Sequence, residues 1–169
     1  VQYGVEEAAA AGLDRICFVT GRGKRAIEDH FDVSFELESS IAGTGKEDAL
    51  QGIRRLIAQC SFSYTRQREM LGLGHAILTG RQIVGDEAFG VILADDLCLT
   101  ENEAGVMSQM AEIYQQHKCS VVAIEEVPQD QVDRYGVIAG DAVTEDLIKV
   151  TDSLLYKSQS PRDFAISRK

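Results

Sequence analysis

The sequence has 169 residues, of which 44% are hydrophobic and 26% charged, a composition typical of one globular domain with a real core. Its net charge of −10 disfavours a general binder of nucleic acids or membrane surfaces, because both need a positive face. No apolar stretch approaches the roughly 20 residues that span a bilayer, and the four cysteines show no C-x-x-C spacing. We therefore expect a cytoplasmic protein with reduced thiols.

Strand and helix patterns alternate along the first half of the chain. The first predicted helix runs to about Ala11, where Gly12 can end it in a left-handed conformation. The apolar run at residues 16–20 predicts a strand buried on both faces. Helical patterns follow at residues 24–30, 35–40 and 46–59, and an alternating strand pattern at residues 62–65.

The same alternation continues through the second half. A glycine turn at residues 72–75 precedes a short predicted helix at 76–80, and residues 104–117 have apolar side chains at helical spacing. Two more apolar runs, at 89–93 and 119–124, predict buried strands. Beyond Pro128, short alternating segments at 135–139 and 147–151 indicate an antiparallel annex. We predict an α/β fold with a mostly parallel sheet, covered on both faces, and this small annex.

In such a sheet, ligands bind beyond the carboxyl ends of the strands, and this rule selects three turns. The first is Thr20-Gly21, which opens a glycine-containing turn without the full spacing of a phosphate-binding P-loop. We interpret that turn as structural. The second spans residues 66–75, and the third spans residues 94–97.

The acidic pair Asp95–Asp96 follows the predicted strand at 89–93. Adjacent residues at a strand end point in different directions, so one carboxylate can face the crevice. Carboxylate oxygens suit Mg²⁺, which usually shares them with substrate phosphates. A solvated loop or a helix cap is the alternative, and spacing alone does not decide between them. A receiver-like phosphorylation domain fits poorly, because its acidic pair belongs near the start of the domain.

The second turn combines Gln67 with Gly72 and Gly74. Glycines before a helix let backbone N–H groups approach a ligand closely. Gln67 supplies both a donor and an acceptor, as the recognition of a nucleobase edge requires. A tight structural turn is the ordinary alternative for a G-x-G pattern, and we interpret His75 as a packing residue.

These segments are part of a colinear series of motifs that runs from Gln2 to about Asp152. The series resembles the bacterial UTP–glucose-1-phosphate uridylyltransferases, a nucleotidyltransferase family. The matching segments are Gln2-Tyr3 with the helix after it, 18–24, 27–32, 34–38, Arg66-Gln67, 72–76, 84–87, Asp95-Asp96 and 134–138.

The resemblance implies a Rossmann-like nucleotide-diphospho-sugar transferase fold and Mg²⁺-dependent uridylyl transfer. The substrates would be UTP and glucose 1-phosphate, and the products UDP-glucose and pyrophosphate, formed by in-line attack without a covalent intermediate. Residues 1–127 would form the nucleotide-binding part, and residues 128–169 the start of the sugar-binding part. The full-length protein would be a homo-oligomer that binds neither nucleic acid nor membrane.

The resemblance also implies a role for individual residues. Gln67 and Gly72 would contact the uracil, and Asp95 would hold the Mg²⁺ on the phosphates. Gly136 would lie against the sugar, and Lys157 would contact the sugar phosphate. Asp95 and Lys157 are therefore the expected catalytic residues.

Two departures from the family pattern leave alternatives open. The family's N-terminal strand and phosphate loop, and its C-terminal part, have no counterpart in these 169 residues, so we expect a partial domain with little or no activity. Tyr156 stands where the family has a sugar-binding glutamate, and a phenol cannot make the paired charge-assisted bonds of a carboxylate. A non-catalytic paralogue that binds nucleotide sugars, or a pyrophosphorylase for another sugar phosphate, are the alternatives.

Overall fold

The structure, a computed structural model, describes residues 1–100 and 104–154 as an alternation of helices and strands. The helices and strands are, in chain order, α1 (Gln2–Ala10), β1 (Arg15–Thr20), α2 (Arg25–Phe31), α3 (Phe35–Ile41), α4 (Gln51–Gln59), β2 (Ser61–Arg66), α5 (Leu73–Thr79), α6 (Arg81–Val84), α7 (Val106–His117), β3 (Val137–Ala142) and β4 (Ile148–Leu154). Short 3₁₀ helices also span Glu47–Leu50 and Gln129–Arg134.

The chain divides into two compact units. The first comprises Val1–Met70 and His75–Val121 and contains the parallel strands β1 and β2. The second comprises Leu71–Gly74 and the chain from Val122, and contains the antiparallel strands β3 and β4. Among the described helices, none is both long enough and apolar enough to cross a bilayer.

In the first unit, β1 pairs with β2 in parallel, from Arg15 opposite Ser61 to Thr20 opposite Arg66. The two strands therefore end at the same level. The backbone N–H of Gln67 extends the ladder by donating to the Thr20 carbonyl oxygen at 2.9 Å. A shared carboxyl edge brings the turns after β1 and β2 to the same place.

An aromatic stack on one face of this sheet forms the core of the first unit. The Phe18 ring lies 5.2 Å from that of Phe31 and 5.4 Å from that of Tyr64, and the Phe31 and Phe62 rings are 4.9 Å apart. Side chains of α1, α2 and α4 complete the core around the stack. They include Val5, Ala9, Ile27, Ile53 and Leu56, and Cys60, the residue after α4, joins the same cluster.

The C-terminus of α1 ends as the sequence predicts. Gly12 has a φ of 79°, in the region that favours glycine. Its N–H donates to the Ala9 carbonyl at 3.0 Å, and the N–H of Leu13 donates to the Ala8 carbonyl at 2.9 Å. These are the two hydrogen bonds of a Schellman motif, which satisfies carbonyl groups that the helix leaves unpaired.

The N-terminus of α7 is capped by a side chain from α1. An oxygen of the Glu7 carboxylate accepts the backbone N–H of Met107 at 3.0 Å, and the two residues are 100 positions apart in the chain. A carboxylate at this end satisfies an unpaired donor and interacts favourably with the helix dipole.

Two of the predicted buried strands do not form. Residues 89–93 have no regular secondary structure, and Phe89 is 56% exposed. The segment packs against helices instead: Ile92 lies against Gly4 of α1, and Gly90 lies against Met107 of α7. Of residues 119–124, only Ile124 takes part in an isolated β-bridge.

The prediction that β1 is buried on both faces is also wrong, since its Val19 is 37% exposed. In the described part of the chain, β1 has a pairing partner on one edge alone. All four cysteines have free thiols in the structure, and Cys119 is exposed rather than buried in a strand.

The antiparallel annex is present as the β3–β4 pair. Its register runs from Val137 opposite Leu154 to Ala142 opposite Ile148, and it shifts between Ala139 and Gly140. A Cβ at Gly140 would lie 2.5 Å from the backbone oxygen of Lys149, so the irregularity has no room for a side chain.

Truncating the centre of the aromatic stack should destabilise the first unit strongly. Phe31 is 2% exposed, and Phe31→Ala should lower the free energy of unfolding by about 3–5 kcal/mol, since it removes buried apolar contacts and leaves a cavity. Phe35→Ala is the matched control, because Phe35 is 80% exposed, and its effect should stay within about 0.5 kcal/mol. Urea unfolding measures both, and equal losses would contradict the assigned core.

Stability should fall at alkaline pH. Burial raises the pKa of the Cys17 and Cys60 thiols, and the nearby Asp14 charge adds to the effect at Cys60. Burial, together with the charges of Asp32 and Glu28, also raises the pKa of the Tyr64 hydroxyl. Each group therefore keeps its proton to a higher pH when folded, so the folded state binds more protons than the unfolded state above the unfolded thiol pKa of about 8.5.

The stability from these groups is fully present below that pH and is lost as pH rises through the folded pKa values. Urea unfolding with a reductant, between pH 7 and 10, should show a declining midpoint. The Cys17→Ala, Cys60→Ala double variant should flatten the decline, whereas Cys119→Ala, at an exposed thiol, should not. An unchanged slope in the double variant would refute the assignment to the thiols.

Candidate functional site

The carboxyl edge of β1 and β2 positions Gln67. Thr20, the last residue of β1, is buried, and its hydroxyl donates to the Thr65 carbonyl at 3.3 Å. The Thr20 carbonyl in turn accepts the N–H of Gln67, the first residue after β2. The main chain at Gln67 is thus fixed next to the start of the glycine turn at Gly21, at the edge where α/β sheets bind ligands.

The Gln67 side chain is held by His75, in the first turn of α5. The two side chains are half-buried, and Gln67 Nε2 lies 3.0 Å from His75 Nδ1. An amide nitrogen donates, so this contact is a hydrogen bond in the ring tautomer whose Nδ1 accepts. This hydrogen bond satisfies one ring nitrogen, and the interpretation of His75 as a packing residue rather than a catalyst stands. The signal for the contact in the sequence is that Gln67 and His75 bracket one glycine turn.

Gly72 has a φ of 90°, so the backbone there is in the region that favours glycine. Gly74, by contrast, lies within α5 and has no left-handed backbone. The two glycines of the G-x-G pattern therefore have different conformational requirements. Gly72 belongs to the second compact unit, whereas Gln67 and His75 belong to the first.

The acidic pair lies at a turn. The N–H of Asp96 donates to the Leu93 carbonyl at 3.2 Å, which places Asp95 inside a four-residue turn with its side chain exposed. Within residues 1–100 and 104–154, no three His, Cys, Asp or Glu side chains cluster as a metal site. The donor chemistry of Asp95 still fits Mg²⁺, which takes one or two carboxylates and completes its shell with waters and substrate phosphates.

The predicted sugar-side residues are only partly described. Gly136 is half-buried in the second unit, between the 3₁₀ helix at Gln129–Arg134 and β3. Lys157 and Tyr156 lie outside the described residues. The boundary predicted between a nucleotide-binding part at 1–127 and a sugar-binding part at 128–169 stays a prediction.

The parallel strands, the glutamine fixed at their carboxyl edge and the glycine turn after it are typical of α/β domains that bind a ligand at this edge. Residues 1–152 match the family model for nucleotidyl transferases, and the chain belongs to this family.

Relatives and solved structures agree with that membership. The chain is 59% identical to a UTP–glucose-1-phosphate uridylyltransferase of Pseudomonas aeruginosa, over 98% of this chain and 60% of the relative. It also resembles the crystal structure of an apo UDP-glucose pyrophosphorylase, with a TM-score of 0.89 and 49% identity over 98% of this chain and 62% of that one.

A UDP-glucose pyrophosphorylase solved in complex with UDP-glucose matches with a TM-score of 0.84 and 46% identity, over 98% of this chain and 61% of that one. The family resemblance and the Rossmann-like α/β fold predicted from the sequence are thereby confirmed. The chain spans about three-fifths of the length of the relatives it matches.

The two glycines of the turn should respond oppositely to alanine. Gly72→Ala should destabilise the protein by about 1 kcal/mol, because a Cβ is strained at a φ of 90°. Gly74→Ala should be neutral or stabilising by up to about 1 kcal/mol, since a Cβ there meets no atom within 4 Å and alanine favours a helix. Thermal and urea unfolding measure both, and a more damaging Gly74→Ala would contradict the described backbone.

Proposed function

We propose that the protein transfers a uridylyl group from UTP to glucose 1-phosphate, giving UDP-glucose and pyrophosphate. The observation that carries this proposal is the 59% identity, across 98% of the chain, to a relative with that activity in its name. The similarity to a pyrophosphorylase solved with UDP-glucose supports the same substrates. These similarities do not favour the non-catalytic alternative or another sugar phosphate.

In the proposed reaction, a phosphate oxygen of glucose 1-phosphate attacks the α-phosphorus of UTP. A new P–O bond forms as the bond to the β-phosphate oxygen breaks, and pyrophosphate leaves with the electron pair. The protein contributes no nucleophile, so catalysis comes from positioning and from neutralising phosphate charge. Gln67 and Gly72 bind the uracil edge and hold the nucleotide in place.

Asp95 is the proposed ligand for Mg²⁺. Its carboxylate is exposed at the turn after residue 93, where it is accessible to a metal–nucleotide complex. When bound, the metal neutralises charge on the phosphates. Gly136 lies against the sugar and Lys157 contacts its phosphate. A cytoplasmic location and a homo-oligomeric full-length protein complete the proposal.

Pyrophosphate release by the full-length gene product tests the reaction, with UTP, Mg²⁺ and glucose 1-phosphate as substrates. We expect turnover that needs all three components and stops with EDTA. No release, with normal UDP-glucose binding by calorimetry, would refute the enzymatic proposal and support a binding protein.

Asp95→Asn tests the metal ligand. It should lower turnover about a hundredfold or more, because an amide cannot replace a charged oxygen ligand, while thermal stability stays unchanged. Asp14→Asn is the matched control: Asp14 is exposed and precedes the amino end of β1, at the edge opposite to the site. Near-normal turnover in Asp95→Asn would show that another group holds the metal.

A further inference from the structure

The turns that follow β1 and β2 are rich in basic side chains. Residues 20–25 and 65–68 include none of the 27 acidic residues of the chain. Their basic residues, which we call the cationic rim, are Arg22, Lys24, Arg25, Arg66 and Arg68. Since the whole chain has a net charge of −10, this local excess of positive charge is opposite in sign to the rest of the sequence.

The register of the sheet brings the two turns to one edge. Thr20 stands opposite Arg66, and the N–H of Gln67 donates to the Thr20 carbonyl at 2.9 Å. Paired strands are about 4.8 Å apart, so the backbones that carry the rim leave the sheet side by side. Both turns belong to the first compact unit.

The charges of the cationic rim are not neutralised by ion pairs. All five residues are exposed. Within residues 1–100 and 104–154, the ion pairs are Arg15 with Glu87, at the amino end of β1, and Arg54 with Glu38, between α4 and α3. Neither pair includes a residue of the rim.

The acidic side chains nearest in the sequence offset the rim only in part. Burial, together with the charges of Asp32 and Glu28, raises the pKa of the Tyr64 hydroxyl, so these two carboxylates act beside the aromatic stack. Asp29 and Asp32 line a cleft with residues of α3 and α4. Glu69 is exposed and follows the last rim residue, where it cancels one charge at most. The edge therefore keeps an excess of positive charge.

We propose that the cationic rim steers UTP to the carboxyl edge of β1 and β2 and thereby sets the rate at which UTP associates. The inference rests on the proposed function, in which UTP binds at this edge. It gives a role to the glycine-containing turn after β1, and it makes ionic strength a condition that controls substrate capture.

Steering is the effect that exposed charges produce best. A protein with a large negative net charge repels a polyanionic nucleotide, and a local positive region reverses the sign of that force over a Debye length of about 10 Å at 0.1 M salt. Such fields raise association rate constants by about tenfold to a thousandfold. Exposed charges contribute little once the complex has formed, because water and salt screen them. Charges at a rim therefore change the association rate constant, kon, and its salt dependence more than the dissociation rate constant, koff.

Stopped-flow binding of a ribose-labelled fluorescent UTP to the full-length gene product, with Mg²⁺, tests the inference. The triple variant Arg22→Gln, Lys24→Gln, Arg25→Gln should lower kon by about threefold to tenfold at low ionic strength. Its koff, measured by a chase with unlabelled UTP, should change by less than about twofold. At about 0.5 M salt the two kon values should converge, since the Debye length is then only a few ångströms.

The matched control removes the same number of positive charges outside the two turns. Its substitutions are Arg15→Gln, Arg55→Gln and Lys118→Gln, all at exposed residues. This control should keep the wild-type kon and salt dependence, whereas an equal loss in both triple variants would show that net charge alone acts and would overturn the inference. Thermal unfolding checks that both variants fold, and Arg22→Gln alone provides the comparison on a smaller scale if the triple variant does not.

The outcomes also separate this inference from the proposed function. If the wild-type protein does not bind UTP, both fail. If UTP binds but the rim variant keeps the wild-type kon at low ionic strength, only the steering role is refuted. An unchanged kon with a faster koff would instead identify these side chains as direct ligand contacts, which also refutes steering.

Discussion

The parallel pairing of β1 with β2 fixes the geometry of the first unit. Thr20 stands opposite Arg66, so both strands end at one level, and Gln67 continues the ladder by a bond to Thr20. A slip of one residue would turn every side chain of a strand to the other face of the sheet. The same register therefore determines the core and the position of the proposed uracil-binding residue.

The register is in turn specified by the aromatic stack. Ile16 and Phe18 of β1 stand opposite Phe62 and Tyr64 of β2, all on the face that packs against α2. Phe31 closes this stack from α2. Burying large rings on one face stabilises a single register, because any slip would expose them to water. The polar turns beyond the strands contribute little to this choice and are available for binding.

Most elements of the fold were predictable from the sequence. Helices with apolar residues at regular spacing, the strands of the β1–β2 pair and the β3–β4 annex lie where the pattern places them. The segment at 89–93 does not form the predicted strand, because an apolar run indicates burial but does not identify the element that covers it. This segment packs against α1 and α7 without pairing as a strand.

The candidate site was predictable in its residue types but not in its contacts. Gln67 and Gly72 were identified by their place beside a turn and by their resemblance to the family's motif. The hydrogen bond between Gln67 and His75 could not be predicted in the same way. The two residues are eight positions apart, in a turn whose path depends on a left-handed glycine. Sequence spacing predicts contacts within a helix or across a ladder, and this contact is in neither.

The cap that Glu7 places on α7 has a consequence for the order of folding. Glu7 leaves the ribosome before Met107, whose N–H its carboxylate accepts 100 positions later in the chain. Until that residue emerges, α1 has no partner for this side chain and α7 does not exist. Closing so long a loop has a high entropic cost, and the stabilising contacts form only once the loop is closed. During synthesis, the pairing of α1 with α7 therefore becomes possible only after both strands of the β1–β2 pair have emerged.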